Sequence, residues 1–361
     1  MIISISGMTR SPMDRNNNFR EEDIMFTFQA VDGTSGLSAA ASGFSTFQVI
    51  LIWIAVFASL VVLNEVSRRW KWSGFFFWFC LPVLGTIAWF TVLKGVAYTD
   101  WFHMAKYYSS TAGCIFFWCF RYIKGTRKDG TTWELKNNKF FMLLIPAILA
   151  INIFEACSRD FQIASQYWGH IGELADEPGM YVLGGSWNIM NGIAGILNAV
   201  TIVGWFGVCV RSAKGKDKSR DMIWPDMMWF WIVAYDLWNF TYTYNCLPSH
   251  AWYCGFALLL APTLAAFFIN KGAWLENRAR TLSLWCFFAQ CWPAFQDEIV
   301  VVNSTYNSTI YTIVGAISLA ANVAVFAFMV YKSVKRKMNP WTNSIYDDME
   351  GFKVLAEQRE A

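Results

Sequence analysis

The chain has 361 residues, of which 55% are hydrophobic and only 15% charged, and its mean hydropathy is +0.32. So little charge excludes an ordinary soluble domain, and apolar runs of bilayer-crossing length recur throughout. The net charge of +3 says little by itself, because in such a chain the distribution of Lys and Arg carries the information.

Residues 1–43 read as a mobile polar tail with no apolar core of a signal peptide. The pattern then predicts about nine helical spans. The first, 44–64, closes on Arg68, Arg69 and Lys71, and the second, 74–93, ends before Lys94. The third, 101–123, opens with His103 and Lys106 and ends in Arg121 and Lys124. The fourth, 140–157, holds Asn152 and Glu155, and an acidic loop at 158–180 follows with Asp160, Glu173, Asp176 and Glu177. The fifth, 182–210, carries Asn188, Asn191 and Asn198 beside Gly192, Gly195 and Ala199. The sixth and seventh, 227–246 and 250–270, flank a Pro-containing turn. Lys271, Arg278 and Arg280 then precede the eighth at 281–296, and the ninth is 310–331. Residues 332–361 read as a cytoplasmic C-terminal tail, leaving 44–331 as the transmembrane domain.

The runs are continuously apolar, which fits spanning helices of a ~30 Å core and not barrel strands. The fold class is therefore all-α, a polytopic transmembrane bundle. Basic clusters follow spans one, three, five, seven and nine, whereas the other loops hold at most Lys94 or Arg159. That alternation predicts an N-outside, C-inside protein of the plasma (cytoplasmic) membrane.

Asp236 stands near the middle of the sixth span, with Asn239, Tyr242 and Thr243 following at helical spacing. An ionisable group at that depth is expensive in hydrocarbon, so it is paired or used. Orientation places His103, Lys106, Asn188, Asn191, Glu155, Asn239 and Tyr242 in the outer half, with Asp236 near the midplane. Their convergence predicts a wet vestibule open to the outside, with Asp236 in water-bridged reach of Lys106, His103 or Asn188. The blander alternative is helix packing: Asn side chains beside small residues hydrogen-bond neighbouring helices. A zinc site from His103, His170 and His250 with Asp236 or Glu155 lacks HxxxH or HExxH spacing, so the metal stays unassigned and no cofactor is expected. No late span holds the deep lysine that a retinal Schiff base needs. Cys246 and Cys254 flank the outer turn and could be bonded, with Cys157 as a rival partner.

The segment YTYNCLPSHAWYCGFALLLAPTLAAFF (242–268), followed by NKGAWLENRARTLSLW (270–285), resembles a family of multi-spanning, mainly bacterial membrane proteins known as a domain of unknown function. The resemblance implies membrane location and no activity. The residues themselves favour a small-solute transporter or channel-like protein, with the lipid bilayer and an unknown solute as partners and no nucleic acid. The alternatives are an integral-membrane enzyme acting on a lipid or polyprenyl substrate at the outer leaflet, and a sensor or structural membrane protein.

Overall fold

A computed structural model describes residues 26–32, 36–38, 44–175, 179–214 and 217–359. Among these, nine long helical segments follow one another: α1 (Thr46–Arg69), α2 (Lys71–Phe90), α3 (Trp101–Tyr122), α4 (Lys139–Gln166), α5 (Ser186–Val200), α6 (Trp229–Cys246), α7 (Ala251–Ile269), α8 (Trp274–Cys291) and α9 (Ser308–Arg336). A short α10 (Glu350–Ala356) lies near the C-terminus. Five of them, α1, α2, α4, α7 and α9, are long and apolar enough to cross a membrane. The molecule is a helical bundle of membrane type.

Local chemistry sets the ends. Ser45 caps α1 in a reciprocal capping box with Gln48, Asp100 accepts from the His103 amide at the start of α3, and Asn307 caps α9. Within α7 the ladder widens into π-type turns on either side of a segment holding Pro262, a residue that cannot donate to it. Of the N-terminal tail, Phe26–Asp32 forms a strand antiparallel to Val301–Ser304, so this stretch is tied to the bundle. The C-terminal tail also folds back: Ile345, Tyr346 and Phe352 are buried against Val203, Met228 and Met329.

Three boundaries differ most from the sequence expectation. The fifth helix spans only Ser186–Val200 rather than 182–210. Beyond it Gly204 takes a φ of +62°, its amide donates to the Pro340 carbonyl, and Trp224 Nε1 donates to its carbonyl. The chain there is a tight turn packed on the C-terminal segment, not a helix. The fourth helix runs nine residues past 157, to Gln166, and so takes Arg159 and Asp160 into the bundle. The eighth begins at Trp274, not 281, and includes Arg278 and Arg280. Those two arginines are buried helix residues, leaving Lys271 as the basic residue of that connection. Asp176 and Glu177 lie outside the described residues.

The short α5 packs closely on α4, α6 and α9. Small residues permit it. A Cβ on Gly195 would come within 2.3 Å of Cys157 Sγ and 2.4 Å of Trp238 Nε1. Asn198 Nδ2 donates to Asn322 Oδ1 (2.9 Å), and Asn322 Nδ2 donates to the Ala234 carbonyl (3.1 Å). This part of the asparagine row is interhelical hydrogen bonding of the kind membrane helices use.

Candidate functional site

The helix with the most polar interior face is α8. Glu276, Asn277, Arg278, Arg280, Thr281, Ser283 and Gln290 are all buried on it. No Gly or Pro interrupts the chain between Gly272 and Pro293, and Glu276 pairs with Arg280 one turn on (2.5 Å). Its charges are affordable in the interior only because other elements answer them.

At one end Arg68 of α1, Arg121 of α3 and Glu276 and Arg280 of α8 meet Asp221, which lies on the loop before Trp224. Asp221 accepts from Arg68 Nη1 through Oδ2 (2.7 Å) and from Arg121 Nη2 through Oδ1 (2.7 Å). Arg121 Nη2 and Arg280 Nη2 both face Glu276 Oε1, while Glu276 Oε2 accepts the Met222 amide (2.9 Å). Arg68 also reaches Glu65 and Asp217 (2.5 and 2.7 Å). Burial alone would raise the Asp221 carboxyl, but Arg121, Arg68 and Arg280 overcome it and hold it well below the usual carboxylate range. Asn270 and Asn277 exchange amide bonds (2.8 and 2.9 Å) beside this cluster, and Asn64 Nδ2 joins at Asn277 Oδ1 (3.1 Å).

Between Glu276 and Arg280 in the chain, and so turned to another side of α8, Arg278 sits beside Asp236 and Tyr235 of α6. Asp236 Oδ2 accepts from Thr263 Oγ1 (2.6 Å), which in turn accepts from Trp274 Nε1 (2.8 Å). Asp236 Oδ1 and the Nε and Nη1 of Arg278 are buried without a hydrogen-bond partner. Next, Ser283 Oγ shares a hydrogen bond with Thr111 Oγ1 of α3 (2.8 Å). Near the end of α8, Gln290 Nε2 donates to the Tyr98 carbonyl (3.3 Å). There Tyr98, His103, His250 and Asp297 gather: the His103 ring stacks on Tyr98 at 3.9 Å, and His250 Nε2 lies 2.9 Å from Asp297 Oδ1. The Tyr98 hydroxyl donates to the other Asp297 oxygen. Burial pushes the Asp297 carboxyl up, but its bonds to His250 and Tyr98 outweigh that and leave it below the usual range.

The sequence-derived set divides among these places. Asp236 faces Thr263 and Arg278, and the expected neighbours serve other groups. Asn188 and Asn191, fully buried, donate to the two oxygens of Asp160 (2.9 and 2.7 Å), with Cys246 Sγ at 3.3 Å from Oδ1. The longer α4 supplied that carboxylate as their partner. His103 bonds Asp100 (2.8 Å), and Lys106 lies close to Cys254 and Cys286. Asn239 is buried, while Tyr242 is half-buried, stacked on Trp238. Glu155 and Asn152 are exposed on the outer face of α4, apart from the polar interior. They lie on the face turned away from Ile145, Leu149 and Ile153, which α4 gives to the core. Sequence reading missed Arg278, Arg280, Glu276 and Asp160, although Glu276 and Arg280 show i,i+4 pairing in an unbroken segment.

Among the described residues no group of three or more His, Cys, Asp or Glu is placed to hold a metal ion. The nine cysteines are free; Cys246 faces Asp160, and Cys254 accepts from Trp285 Nε1 (3.2 Å). Two cavities stand out, and neither is the expected outer vestibule. One is an apolar groove of about 580 Å³ along Val323–Lys335 of α9. The other, with room for about one water, lies among Arg68, Trp78, Cys114, Trp118, Arg121 and Arg280. No curated protein and no solved structure matches the chain. One sequence family does, and over nearly the whole bundle and the folded-back tail: the chain belongs to the family of unknown function DUF5692, whose sequence model covers residues 44–358.

Proposed function

We propose that the chain is a transporter or channel-like protein for a small solute in the cytoplasmic membrane, with all nine long helices crossing, the N-terminus outside and the C-terminus inside. The observation that carries this reading is the polar interior of α8. Its 18 residues extend about 27 Å at 1.5 Å per residue, close to the thickness of a hydrocarbon core. Polar groups recur along that length, from Glu276, Arg278 and Arg280 through Ser283 to Gln290. Ionisable groups enclosed by membrane helices mark solute or proton pathways more often than they serve stability. The orphaned atoms of Asp236 and Arg278 are the groups a passing solute would satisfy. The closed interior corresponds to an occluded conformation, and Asp236 keeps the proton- or cation-responsive role.

An outer-leaflet enzyme using Glu155, Asp236 and histidines has less in its favour, because Glu155 faces outward and His103 and His250 gather at Asp297 instead. The test is flux in proteoliposomes holding the purified protein, read for protons and for small anions, cations and neutral osmolytes. Flux of one class that falls at least tenfold in Arg278→Gln, with the variant folded, supports the reading. Leak indistinguishable from empty liposomes for every class ends it.

A further inference from the structure

Between α3 and α4 the chain closes as a short hairpin that stands outside the polar interior. Lys124–Thr126 pairs antiparallel with Thr132–Glu134. The Arg127 amide donates to the Thr131 carbonyl across the turn (2.8 Å), and Gly130 supplies a φ of +82°. Gly125 stands opposite Trp133, and a Cβ there would come within 2.7 Å of the indole Nε1. The glycine therefore lets the indole lie against the opposing strand while 40% of Trp133 stays exposed. Ile123 and Phe140, at the two feet of the hairpin, are exposed as well.

Positive charge is concentrated on the same element. Lys124, Arg127, Lys128, Lys136 and Lys139 stand between Ile123 and Phe140, against the carboxylates of Asp129 and Glu134 alone. Glu134 pairs with Lys136 (2.9 Å), and Asp129 Oδ1 accepts from the Thr131 amide and hydroxyl (3.0 and 2.6 Å). Lys124, Arg127, Lys128 and Lys139 are exposed and enter no ion pair among the described residues. Phe140 lies in the first turn of α4, one of the five helices long and apolar enough to cross a membrane. From Lys124 to Arg127 the strand extends about 10 Å. That is comparable to the Debye length of about 8–10 Å, so at any tilt the tip stays within electrostatic reach of lipid phosphates. Aromatic rings settle at headgroup level, and basic side chains there are drawn to anionic lipid.

We infer that the hairpin Lys124–Glu134 is a docking surface for the headgroups of anionic phospholipids in the leaflet at its own end of the bundle. Lys124, Arg127 and Lys128 meet the phosphates, and Trp133 and Phe140 hold the hairpin at headgroup depth. The inference needs α4 in a bilayer, and neither the transport reading nor the orientation.

Bimane attached to Thr126→Cys, an exposed position beside the tip, tests the surface in the full-length protein. None of the nine native cysteines is exposed, and the parent treated in parallel gives the labelling background. The protein is placed in phosphatidylcholine nanodiscs with a trace of headgroup-spin-labelled lipid as quencher. Replacing part of the phosphatidylcholine by phosphatidylglycerol should raise quenching at least twofold, and high salt should abolish the rise. Lys124→Gln, Arg127→Gln and Lys128→Gln together should abolish it too, and as exposed substitutions they leave folding intact. Asp129→Asn, which removes a negative charge, should raise quenching further. Equal quenching with and without phosphatidylglycerol overturns the surface, and is the result expected of a hairpin turned to solution for an acidic protein or a nucleic acid. A rise that survives in the triple variant overturns it as well.

Discussion

Glu276→Gln probes the enclosed charge cluster directly. Glu276 is buried, its Oε1 faces Arg121 and Arg280, and its Oε2 accepts the Met222 amide. Glutamine keeps the shape and can still accept from Met222. What it removes is one of the two fully buried carboxylates, Glu276 and Asp221, that balance the guanidinium groups of Arg121 and Arg280. Breaking a buried pair by neutralising one partner costs about 3–5 kcal/mol, since the other charge stays buried. That is a large part of a typical folding stability of about 5–15 kcal/mol. Adding Arg280→Gln removes one charge of each sign and should recover about 1–3 kcal/mol, the coupling expected of contacting residues. Denaturant unfolding in mild detergent, followed by tryptophan fluorescence, measures all three proteins. A Glu276→Gln protein within about 0.5 kcal/mol of the parent would refute the argument, as would a double variant no more stable than the single.

Asp226, on the loop before α6, is buried with Ser344 Oγ donating at 2.8 Å, and burial pushes its carboxyl up to about 7. A folded-state value raised above the unfolded one means stability is full below about pH 4 and falls as pH rises towards 7, by a few kcal/mol. Asp226→Asn should remove that fall and leave the variant more stable than the parent at pH 8, as unfolding between pH 5 and 8 would report. Gly195→Leu should destabilise by 3 kcal/mol or more, about the upper range for overpacking, because Cys157 and Trp238 occupy the space a side chain needs; expression and monodispersity in detergent give the readout. For the proposed orientation, single cysteines at the exposed positions His170 and Ser308 should label from outside in a Cys-free background, and those at Gly130 and Lys214 only after permeabilisation. Labelling of Lys214 in intact cells would reverse it.

Helix number and type were legible because continuous apolar runs of bilayer length have few other structural solutions. Each of the nine expected segments corresponds to a long helix. The ends were less legible, since two were drawn at charges. Hydropathy reports what a helix can expose to lipid, and α4 and α8 place their charged turns against other helices. Arg278 and Arg280 also looked like a cytoplasmic cluster, so the basic-residue count that argued for orientation loses support at that connection. The shortness of α5 depends on Gly204 and on contacts from Pro340 and Trp224, which no local pattern announces.

The same physics sorted the candidate residues. Polar groups standing inside apolar runs, such as Asn152 and Glu155, attracted attention because they interrupted a lipid-compatible pattern. A helix turned towards lipid must display its interruptions there or at the headgroups, and α4 does so. Polar groups adjoining the runs, such as Asp160, Glu276 and Arg280, were discounted as loop residues. Yet a residue in a loop at the bilayer edge can meet water, whereas a residue in a helix packed on several others cannot. Asp160 answers Asn188 and Asn191, and Glu276 answers Arg121 and Arg280, so each charge is tied to a partner more than 25 positions away or one turn along. Backbone punctuation carries the better signal. No Gly or Pro separates Asp160 from Pro146, and none separates Arg280 from Gly272 until Pro293 closes the helix. Helix ends drawn at those residues would have placed Asp160, Arg278 and Arg280 inside the bundle and required each to have a partner there.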